Sequence, residues 1–188
     1  SHMYCSPRPL DMYAHYQDVA YDSYLQNENL RTETAKRVVR TIRDFVLSGR
    51  LLDVGCSTGD FLAVAQENFQ AEGIELSEWA VKIAEGRGLN VMRRTLAEMT
   101  EVDDQYDVVT LWGVIEHLEY PQDELRRINH LVKPGGLVCL WTGDSNSIPA
   151  KVFGHKWWYI LGQHIQYFSK RSLDKLMENA GFQRAHIG

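Results

Sequence analysis

The residues of this sequence that could do chemistry begin with segment 55–59, Gly-Cys-Ser-Thr-Gly, and with Glu75. The segment lies between a short apolar run and an apolar-periodic stretch, which predicts a strand, a tight turn and a helix. Such a turn directs backbone N–H groups and the positive end of a helix toward a ligand. Glu75 follows the first glycine by about 20 residues, where a carboxylate can accept hydrogen bonds from two ribose hydroxyls.

Three functions compete for this turn. A dinucleotide site fits the acidic residue, but the turn does not spell G-x-G-x-x-G, so it matches a pyrophosphate site poorly. A hydrolase fits because residues 55–59 match G-x-S-x-G with Ser57 as nucleophile. Asp144 and His164 would then complete a catalytic triad. No HGGG-type oxyanion segment accompanies that motif. The third function is a nucleoside site, in which the two glycines let the backbone approach the ligand closely.

Composition argues against several other classes of protein. The chain has 188 residues and a formal net charge of −5. Its longest basic blocks are Arg93-Arg94 and Arg126-Arg127, so we predict no nucleic-acid partner and no membrane partner. No apolar run approaches the roughly 20 residues that span a bilayer, and no signal-peptide pattern is visible. The three cysteines form neither CxxC nor an even disulfide framework, which indicates a cytoplasmic protein.

The elements that must position these residues follow from periodicity and turn signals. Helices are predicted over 32–48 with Gly49 as the stop, after a cap at Ser77, from Pro121, and after a cap at Ser169 or Ser172. Strands are predicted at 51–54, 71–76, 89–92, 106–112 and 137–141. Residues 133–136 (Lys-Pro-Gly-Gly) are predicted to form a turn, and residues 142–168 a long irregular segment.

Strands that alternate with helices predict an α/β fold with a mostly parallel sheet covered by helices on both faces. Right-handed crossovers make such a sheet doubly wound and Rossmann-like, with the ligand at the carboxyl ends of the strands near the switch point. The glycine turn, Glu75, Leu96 and Trp112 would then lie along one rim.

Five segments, taken in order, resemble the motifs of class I S-adenosylmethionine-dependent methyltransferases. They are Asp53–Gly59 for motif I, Gly73–Ser77 for motif II, Thr95–Glu98 for the adenine side, Tyr106–Leu118 for motif IV and Leu131–Gly136 for the L-K-P-G-G turn. The pattern Trp157…His164…Tyr167-Phe168-Ser169…Gly181-Phe182 is similar to the subgroup that includes ubiquinone-type O-methyltransferases. The resemblance covers residues 32–183.

The resemblance implies S-adenosylmethionine as cofactor, S-adenosylhomocysteine as product and a small-molecule acceptor, with O-methylation expected ahead of N- or C-methylation. Asp53 would position the methionine amino group, Glu75 would bind the ribose diol and Leu76 would pack on the adenine. The other cofactor contacts would come from Gly55, Cys56, Ser57, Gly59, Thr95, Leu96, Ala97, Leu111 and Trp112.

His117 and His164 are the candidate catalytic residues, because methyl transfer to a protic acceptor needs a base. Some ubiquinone-type O-methyltransferases are thought to hold a metal with several acidic residues and a histidine around motif IV. Glu116 and His117 match that pattern, but Gly113 stands where a further acidic ligand is expected. We therefore predict no metal.

We expect three parts in the chain. Residues 1–3 resemble a protease-cleavage scar, residues 4–31 a tyrosine-rich arm or lid, and residues 32–188 the methyltransferase domain. The family's sheet ends with two further strands, whereas residues 183–188 suffice for one, so an incomplete C-terminal hairpin and a homodimer through the exposed sheet edge are expected. The alternatives are a nicotinamide-dependent oxidoreductase and a non-catalytic S-adenosylmethionine-binding module of a larger protein.

Overall fold

The structure is a computed structural model that describes residues 3–4, 28–99 and 105–185. Its strands are β1 (Met3–Tyr4), β2 (Arg50–Val54), β3 (Gln70–Ile74), β4 (Val91–Met92), β5 (Tyr106–Trp112), β6 (Val132–Trp141) and β7 (Gln166–Tyr167). Its α-helices are α1 (Glu28–Arg43), α2 (Asp60–Ala65), α3 (Glu78–Gly86), α4 (Pro121–Leu131), α5 (Ile148–Phe153) and α6 (Lys170–Asn179). Short 3₁₀ turns cover Leu96–Glu98, Ile115–His117 and Gly154–Lys156.

The chain divides into two compact units, which are described separately. The sheet unit comprises Asp11–Leu111 and His130–Cys139, and the aromatic unit comprises Ser1–Leu10, Trp112–Asn129 and Leu140–Gly188. Most of the predicted arm, including Tyr13, Tyr16, Tyr21 and Tyr24, lies outside the described residues. Within the described ranges, no helix is both long enough and apolar enough to cross a bilayer.

Five strands form one sheet in the order β4-β3-β2-β5-β6. β2 pairs in parallel with both β3 and β5, so that Val54 lies opposite Ile74 on one side and Leu111 on the other. The chain moves outward from β2 through β3 to β4, and then returns to place β5 on the other side of β2. This reversal is the predicted switch point, and it confirms the doubly wound α/β fold.

The core of the sheet unit matches the residues that periodicity selected. β5 has the predicted bounds, and its Val108, Val109 and Leu111 are fully buried. α1 buries Val39 and Ile42 from one helical stripe. The apolar spacing in the sequence therefore identified the buried positions of both elements.

The predicted stop of the first helix is wrong. α1 ends at Arg43 because the N–H groups of Asp44 and Phe45 donate to carbonyls three residues back, which tightens the last turn. Phe45, an apolar residue within the predicted helix, is half exposed. Gly49 serves another contact: a Cβ there would lie 2.3 Å from Oδ2 of Asp107, the oxygen that accepts from the backbone N–H of Arg50 at 2.8 Å.

The predicted turn at residues 133–136 lies inside a strand instead. α4 passes directly into β6, which runs without a break from Val132 to Trp141, and Gly135 has a positive φ of 79° within it. Lys133 extends its ammonium group to the carboxylate of Asp107, with both N–O distances at 2.8 Å. The charged contact holds this part of β6 beside β5, where local turn propensity alone predicted a loop.

The aromatic unit contains more regular structure than its sequence indicated. Residues 142–168 include α5, whose N-cap is Ser147, and β7, which pairs antiparallel with β1. Ser169 caps α6 in a reciprocal pair with Ser172, so both predicted cap candidates take part. After α6, residues 181–185 form a turn and irregular backbone.

Candidate functional site

The glycine turn between β2 and α2 uses its N–H groups internally. Gly55 and Cys56 both donate to the carbonyl of Ile74, at 2.8 and 3.1 Å, and Gly59 donates to Cys56 at 3.0 Å. Ser57 has a positive φ of 51°, a sparsely populated conformation for a residue other than glycine. These N–H groups therefore do not form the anion cradle that the strand–turn–helix pattern first suggested.

Glu75, the residue after β3, is the acidic group that holds this turn. Its Oε2 accepts from the N–H of Ser57 at 2.9 Å, and its Oε1 accepts from the N–H groups of Leu76 and Ser77 at 2.7 and 2.8 Å. The residue is only 6% exposed. A carboxylate offers about four acceptor positions, so these three bonds orient it and leave capacity for a donor from a ligand.

Asp53 lies buried in β2, next to the turn. Its Oδ1 accepts from the hydroxyl of Thr110 on β5 at 2.6 Å. Burial raises the pKa of Asp53 to about 7, the Thr110 hydroxyl opposes the shift, and the negative charge of Glu75 adds to it. A buried carboxyl that titrates near neutrality can respond strongly to a cationic ligand group.

Packing alone requires a glycine at position 59. Its φ is 82°, and a Cβ there would lie 2.2 Å from Cδ1 of Leu89, a buried side chain. The contact of Gly59 with a ligand stays a prediction.

A charged clamp behind the turn escaped the sequence analysis. Asp60, the first residue of α2, accepts from Arg31 Nε at 2.5 Å and from Arg87 Nη1 at 2.7 Å. The same Arg87 nitrogen donates to the carbonyl of Thr58 at 2.9 Å, and Arg87 also pairs with Glu28. Asp60 is buried, so the clamp fixes both the turn and the start of α2. Nothing in the sequence spacing linked these residues.

The predicted adenine-side segment folds into a 3₁₀ turn. Glu98 accepts from both the N–H and the hydroxyl of Thr95, at 2.7 and 2.9 Å, so these two residues bind each other. Leu96 is buried, whereas Ala97 is exposed. The sheet unit contains the predicted cofactor residues from Asp53 through Leu111, while Trp112 belongs to the aromatic unit.

In the aromatic unit, Glu116 forms a buried carboxylate site. It is 1% exposed, and its Oε1 accepts a hydrogen bond from the hydroxyl of Tyr159, which also contacts the Thr142 hydroxyl at 3.2 Å. Its Oε2 is buried without a hydrogen-bond partner among the described residues. Sequence analysis placed Glu116 in motif IV but gave no signal for Tyr159, which lies 43 residues away.

The two candidate histidines lie together beside this carboxylate. Their rings contact edge to face at 4.7 Å between centroids. Nδ1 of His117 bonds the carbonyl of Gln163 at 2.9 Å, and Nδ1 of His164 bonds the carbonyl of Tyr159 at 2.7 Å. Because a carbonyl only accepts, each Nδ1 carries the proton, and in the neutral ring Nε2 holds the basic lone pair.

Burial lowers the pKa of His117, although the charge of Glu116 opposes that shift. His117 is therefore neutral at physiological pH. One ligand atom from each of Glu116, His117 and His164 lies within 4.8 Å of the others, a set that could also surround a cation. The absence of a metal remains a prediction.

The hydrolase hypothesis lacks its acid–histidine link. The carboxylate of Asp144 accepts from the N–H of Asn146 at 2.8 Å in a local turn. The Nδ1 of His164, which a triad would direct at that carboxylate, bonds the Tyr159 carbonyl instead.

Comparison with known proteins identifies related chains. A family model described as "Methyltransferase domain" (Methyltransf_23) matches residues 22–187. The ubiquinone biosynthesis O-methyltransferase of Bordetella avium is 39% identical over 107 residues, 52% of this chain and 44% of that protein. The corresponding enzyme of Leptothrix cholodnii is 37% identical over 106 residues, 52% of this chain and 45% of that protein. The chain thus spans about half the length of these curated relatives.

Solved structures share the fold. A SAM-dependent methyltransferase from Archaeoglobus fulgidus superposes with a TM-score of 0.72 at 23% identity, covering 87% of this chain and 75% of that one. Magnesium protoporphyrin IX methyltransferase from Synechocystis PCC 6803, solved with bound SAH, gives 0.67 at 19% identity over 95% and 86% of the two chains. At these identities the likeness establishes the Rossmann-like architecture.

Proposed function

The chain belongs to the Methyltransferase domain family, and from that membership we propose that it transfers a methyl group from S-adenosylmethionine to a small-molecule acceptor. S-adenosylhomocysteine is then the second product. Oxygen is the preferred acceptor atom, which is consistent with the names of the O-methyltransferases that the chain resembles.

The observation that carries this proposal is the pairing of the glycine turn with Glu75. In the turn, the N–H groups of Gly55 and Cys56 donate to the Ile74 carbonyl, and the N–H of Ser57 donates to Glu75. Because these donors are already occupied, the turn suits an uncharged nucleoside better than a pyrophosphate. The Glu75 carboxylate is held in a fixed orientation by three backbone donors, and a hydroxyl of the ribose diol is a donor that its remaining acceptor position suits. Glu75 suits the adenosine ribose of either ligand, whereas the occupied N–H groups of the turn favour an adenosyl ligand over a nicotinamide dinucleotide with its pyrophosphate.

The remaining predicted contacts complete the cofactor site in this proposal. Asp53 receives the methionine amino group, since a buried carboxyl gains most from a nearby cation. Leu76 covers the adenine. The turn residues, the 3₁₀ segment and the end of β5 supply the other contacts: Gly55, Cys56, Ser57, Gly59, Thr95, Leu96, Ala97, Leu111 and Trp112.

S-adenosylmethionine would supply a methyl group on a positively charged sulfur: the acceptor oxygen bonds to the methyl carbon in line as the carbon–sulfur bond breaks, and S-adenosylhomocysteine leaves. The protein contributes alignment and exclusion of water. An acceptor hydroxyl must also lose its proton, and the Nε2 atoms of His117 and His164 are the bases that we assign to that step. Glu116 stabilises the imidazolium that forms.

Ligand-dependent melting tests the cofactor. S-adenosylhomocysteine is expected to raise the melting temperature while NAD(H) leaves it unchanged, because only a ligand of the native state stabilises it. A shift with NAD(H) alone would support the oxidoreductase alternative instead. Cofactor binding without turnover of any acceptor by the full-length protein would support a non-catalytic binding module.

Calorimetry on Glu75→Gln tests the ribose assignment. We expect about a 100-fold weaker affinity for S-adenosylhomocysteine, the loss of roughly one hydrogen bond to a charged group. Glu78→Gln, which changes an exposed carboxylate on α3, is the matched control. Because Glu75 also holds three backbone N–H groups, the variant's melting temperature without ligand must be recorded beside its affinity. Unchanged affinity in a folded variant would contradict the assignment.

A cytoplasmic location and a homodimer are further parts of the proposal. β6 is an outer strand of the sheet, and an outer strand can pair with a second copy. Sedimentation equilibrium of the purified protein tests the dimer, and a monomer at all concentrations would contradict it.

A further inference from the structure

One short segment carries most of the exposed apolar side chains. Of the eleven large apolar residues that are exposed among those described, seven lie between Trp141 and Leu161. Ile148, Val152 and Trp158 are the most exposed of these, at 79%, 70% and 65%. Scattered exposed apolar residues are ordinary, but a concentration of this kind marks a surface that binds something.

These side chains are linked by helix spacing, one ring contact and one turn. Ile148 and Val152 lie one turn apart on α5, and Phe153 follows directly and contacts Trp158 with 6.2 Å between ring centroids. Ile160 and Leu161 come next in the chain, in a turn closed by the bond from Ile160 N–H to the Trp157 carbonyl. We call these six residues, Ile148, Val152, Phe153, Trp158, Ile160 and Leu161, the apolar face.

A buried layer of the same segment holds the apolar face in place. Ala150, Trp157, Tyr159 and Tyr167 form a buried cluster, so inward and outward residues alternate along the segment. Trp157 and Tyr159 stack with 5.2 Å between ring centroids. Because the inner residues are packed, the outer ones are displayed to solvent rather than folded inward.

The segment that carries the apolar face holds charge of one sign. Residues 145–173 contain no aspartate or glutamate, although the whole chain has a formal net charge of −5. Lys151, Lys156, Lys170 and Arg171 lie in this stretch and are all exposed. An apolar surface with basic residues and a tryptophan complements a layer that is apolar inside and negatively charged outside.

We propose that the apolar face docks the protein on the surface of an anionic lipid bilayer. Trp158 and Phe153 enter the interfacial layer, while Lys151 and Lys156 extend their ammonium groups to lipid phosphates. A second copy of the chain fits the face poorly, since a symmetric contact would bring like charges together. The sequence-based expectation of no membrane partner rested on the lack of long basic blocks and of bilayer-spanning apolar runs. Neither criterion detects a binding surface that forms only when the chain folds.

Co-sedimentation with vesicles tests the proposal. The full chain is expected to sediment with vesicles of phosphatidylglycerol and phosphatidylcholine in equal parts, but not with phosphatidylcholine alone, and added salt is expected to release it. Binding to neither kind of vesicle, or equal binding to both, overturns the proposal.

Two variant pairs locate the binding surface. Lys151→Glu/Lys156→Glu is expected to weaken partition by about 30-fold, and Phe153→Ser/Trp158→Ser by about tenfold. The controls are Arg37→Glu and Leu47→Ser, exposed residues of the sheet unit, which are expected to change partition less than twofold.

Melting curves recorded beside each assay show whether a variant is folded. Since the charge-reversal pair alters only exposed side chains, unchanged partition of that folded variant overturns the proposal. So does an equal loss in the control variants. A dimer that forms through this face, or a protein partner that binds it while vesicles do not, overturns it as well. None of these results depends on methyl transfer.

Discussion

The glycine turn and the aromatic unit position their functional groups by different means. In the turn, Glu75 is held by backbone N–H groups of Ser57, Leu76 and Ser77. In the aromatic unit, Glu116 is held by the side chain of Tyr159. The backbone carbonyls of Gln163 and Tyr159 set the tautomers of the two histidines. The position of Glu75 therefore depends on the backbone conformation of the turn, whereas the position of Glu116 depends on the side chain of Tyr159.

This difference explains which contacts could be predicted from the sequence. Backbone-built geometry demands particular residue types at fixed short spacings, and such spacings are visible in a sequence. Side-chain networks join residues far apart in the chain, and no local pattern records them. The following predictions, ordered by size, test how far the contrast holds.

The largest effect is expected at the turn, where backbone conformation is constrained. Gly59→Val combines a positive φ with a clash against Leu89, so we expect a loss of about 4 kcal/mol of unfolding free energy. Gly86→Ala is the matched control, since no atom lies near its added Cβ, and a gain of about 0.5 kcal/mol is expected. Urea unfolding measures both. A stable Gly59→Val variant would contradict the conclusion that the backbone conformation of the turn constrains the residue type at this position.

The second effect concerns the side-chain network. Tyr159→Phe leaves the buried Glu116 without its donor, and we expect a loss of about 2 kcal/mol. Tyr106→Phe is the matched control, because its partner Glu72 keeps the ion pair with Arg50 and the loss is expected to be about 1 kcal/mol. Equal losses in thermal unfolding would show that Glu116 depends on Tyr159 no more than Glu72 depends on Tyr106.

The third effect is a pH dependence. Because burial raises the pKa of Asp53 from 3.8 to about 7, this group favours the folded protein below pH 4, and that stability is lost as pH rises to about 7. Binding of the cofactor ammonium group needs the ionised carboxylate, so affinity is expected to rise with pH up to about 7, by at most about tenfold per pH unit. Calorimetry from pH 5 to 8 measures it. Asp53→Asn is expected to flatten the profile, and an unaltered slope in that variant would assign the titration elsewhere.

The smallest effect is expected on the apolar face. Trp158→Ser and Leu47→Ser both alter exposed residues, and each is expected to change the unfolding free energy by less than about 0.5 kcal/mol. A large loss in Trp158→Ser alone would mean that the outer residues of the aromatic unit support the fold as the inner ones do.

Much of the fold could be predicted, for identifiable reasons. The β-branched run of β5 and the Ser77 cap, whose hydroxyl accepts from the N–H of Ala80, follow from local preferences that nothing in the fold opposes. The predicted turn at residues 133–136 was wrong because the Lys133–Asp107 ion pair draws those residues into β6. The Gly49 stop was wrong because that glycine accommodates Asp107, 58 positions further along the chain.

The candidate sites divide in the same way. Glu75 and the turn were predicted from spacing and Asp53 from the family resemblance, whereas the Arg31–Asp60–Arg87 clamp and the Tyr159–Glu116 bond join residues without a sequence signature. Surface exposure is likewise a property of the folded chain, which is why the apolar face had no counterpart in the sequence analysis.

The clamp on Asp60 links the fraying of α1 to hydrogen exchange in the glycine turn. Arg31 ties the first turn of α1 to the start of α2, and Arg87 ties the same carboxylate to the carbonyl of Thr58. Local unfolding of α1 therefore frees Asp60 from one of its two arginines. The amide hydrogens of Cys56 and Ser57 are expected to exchange with deuterium at rates that follow the fraying of this N-terminal helix.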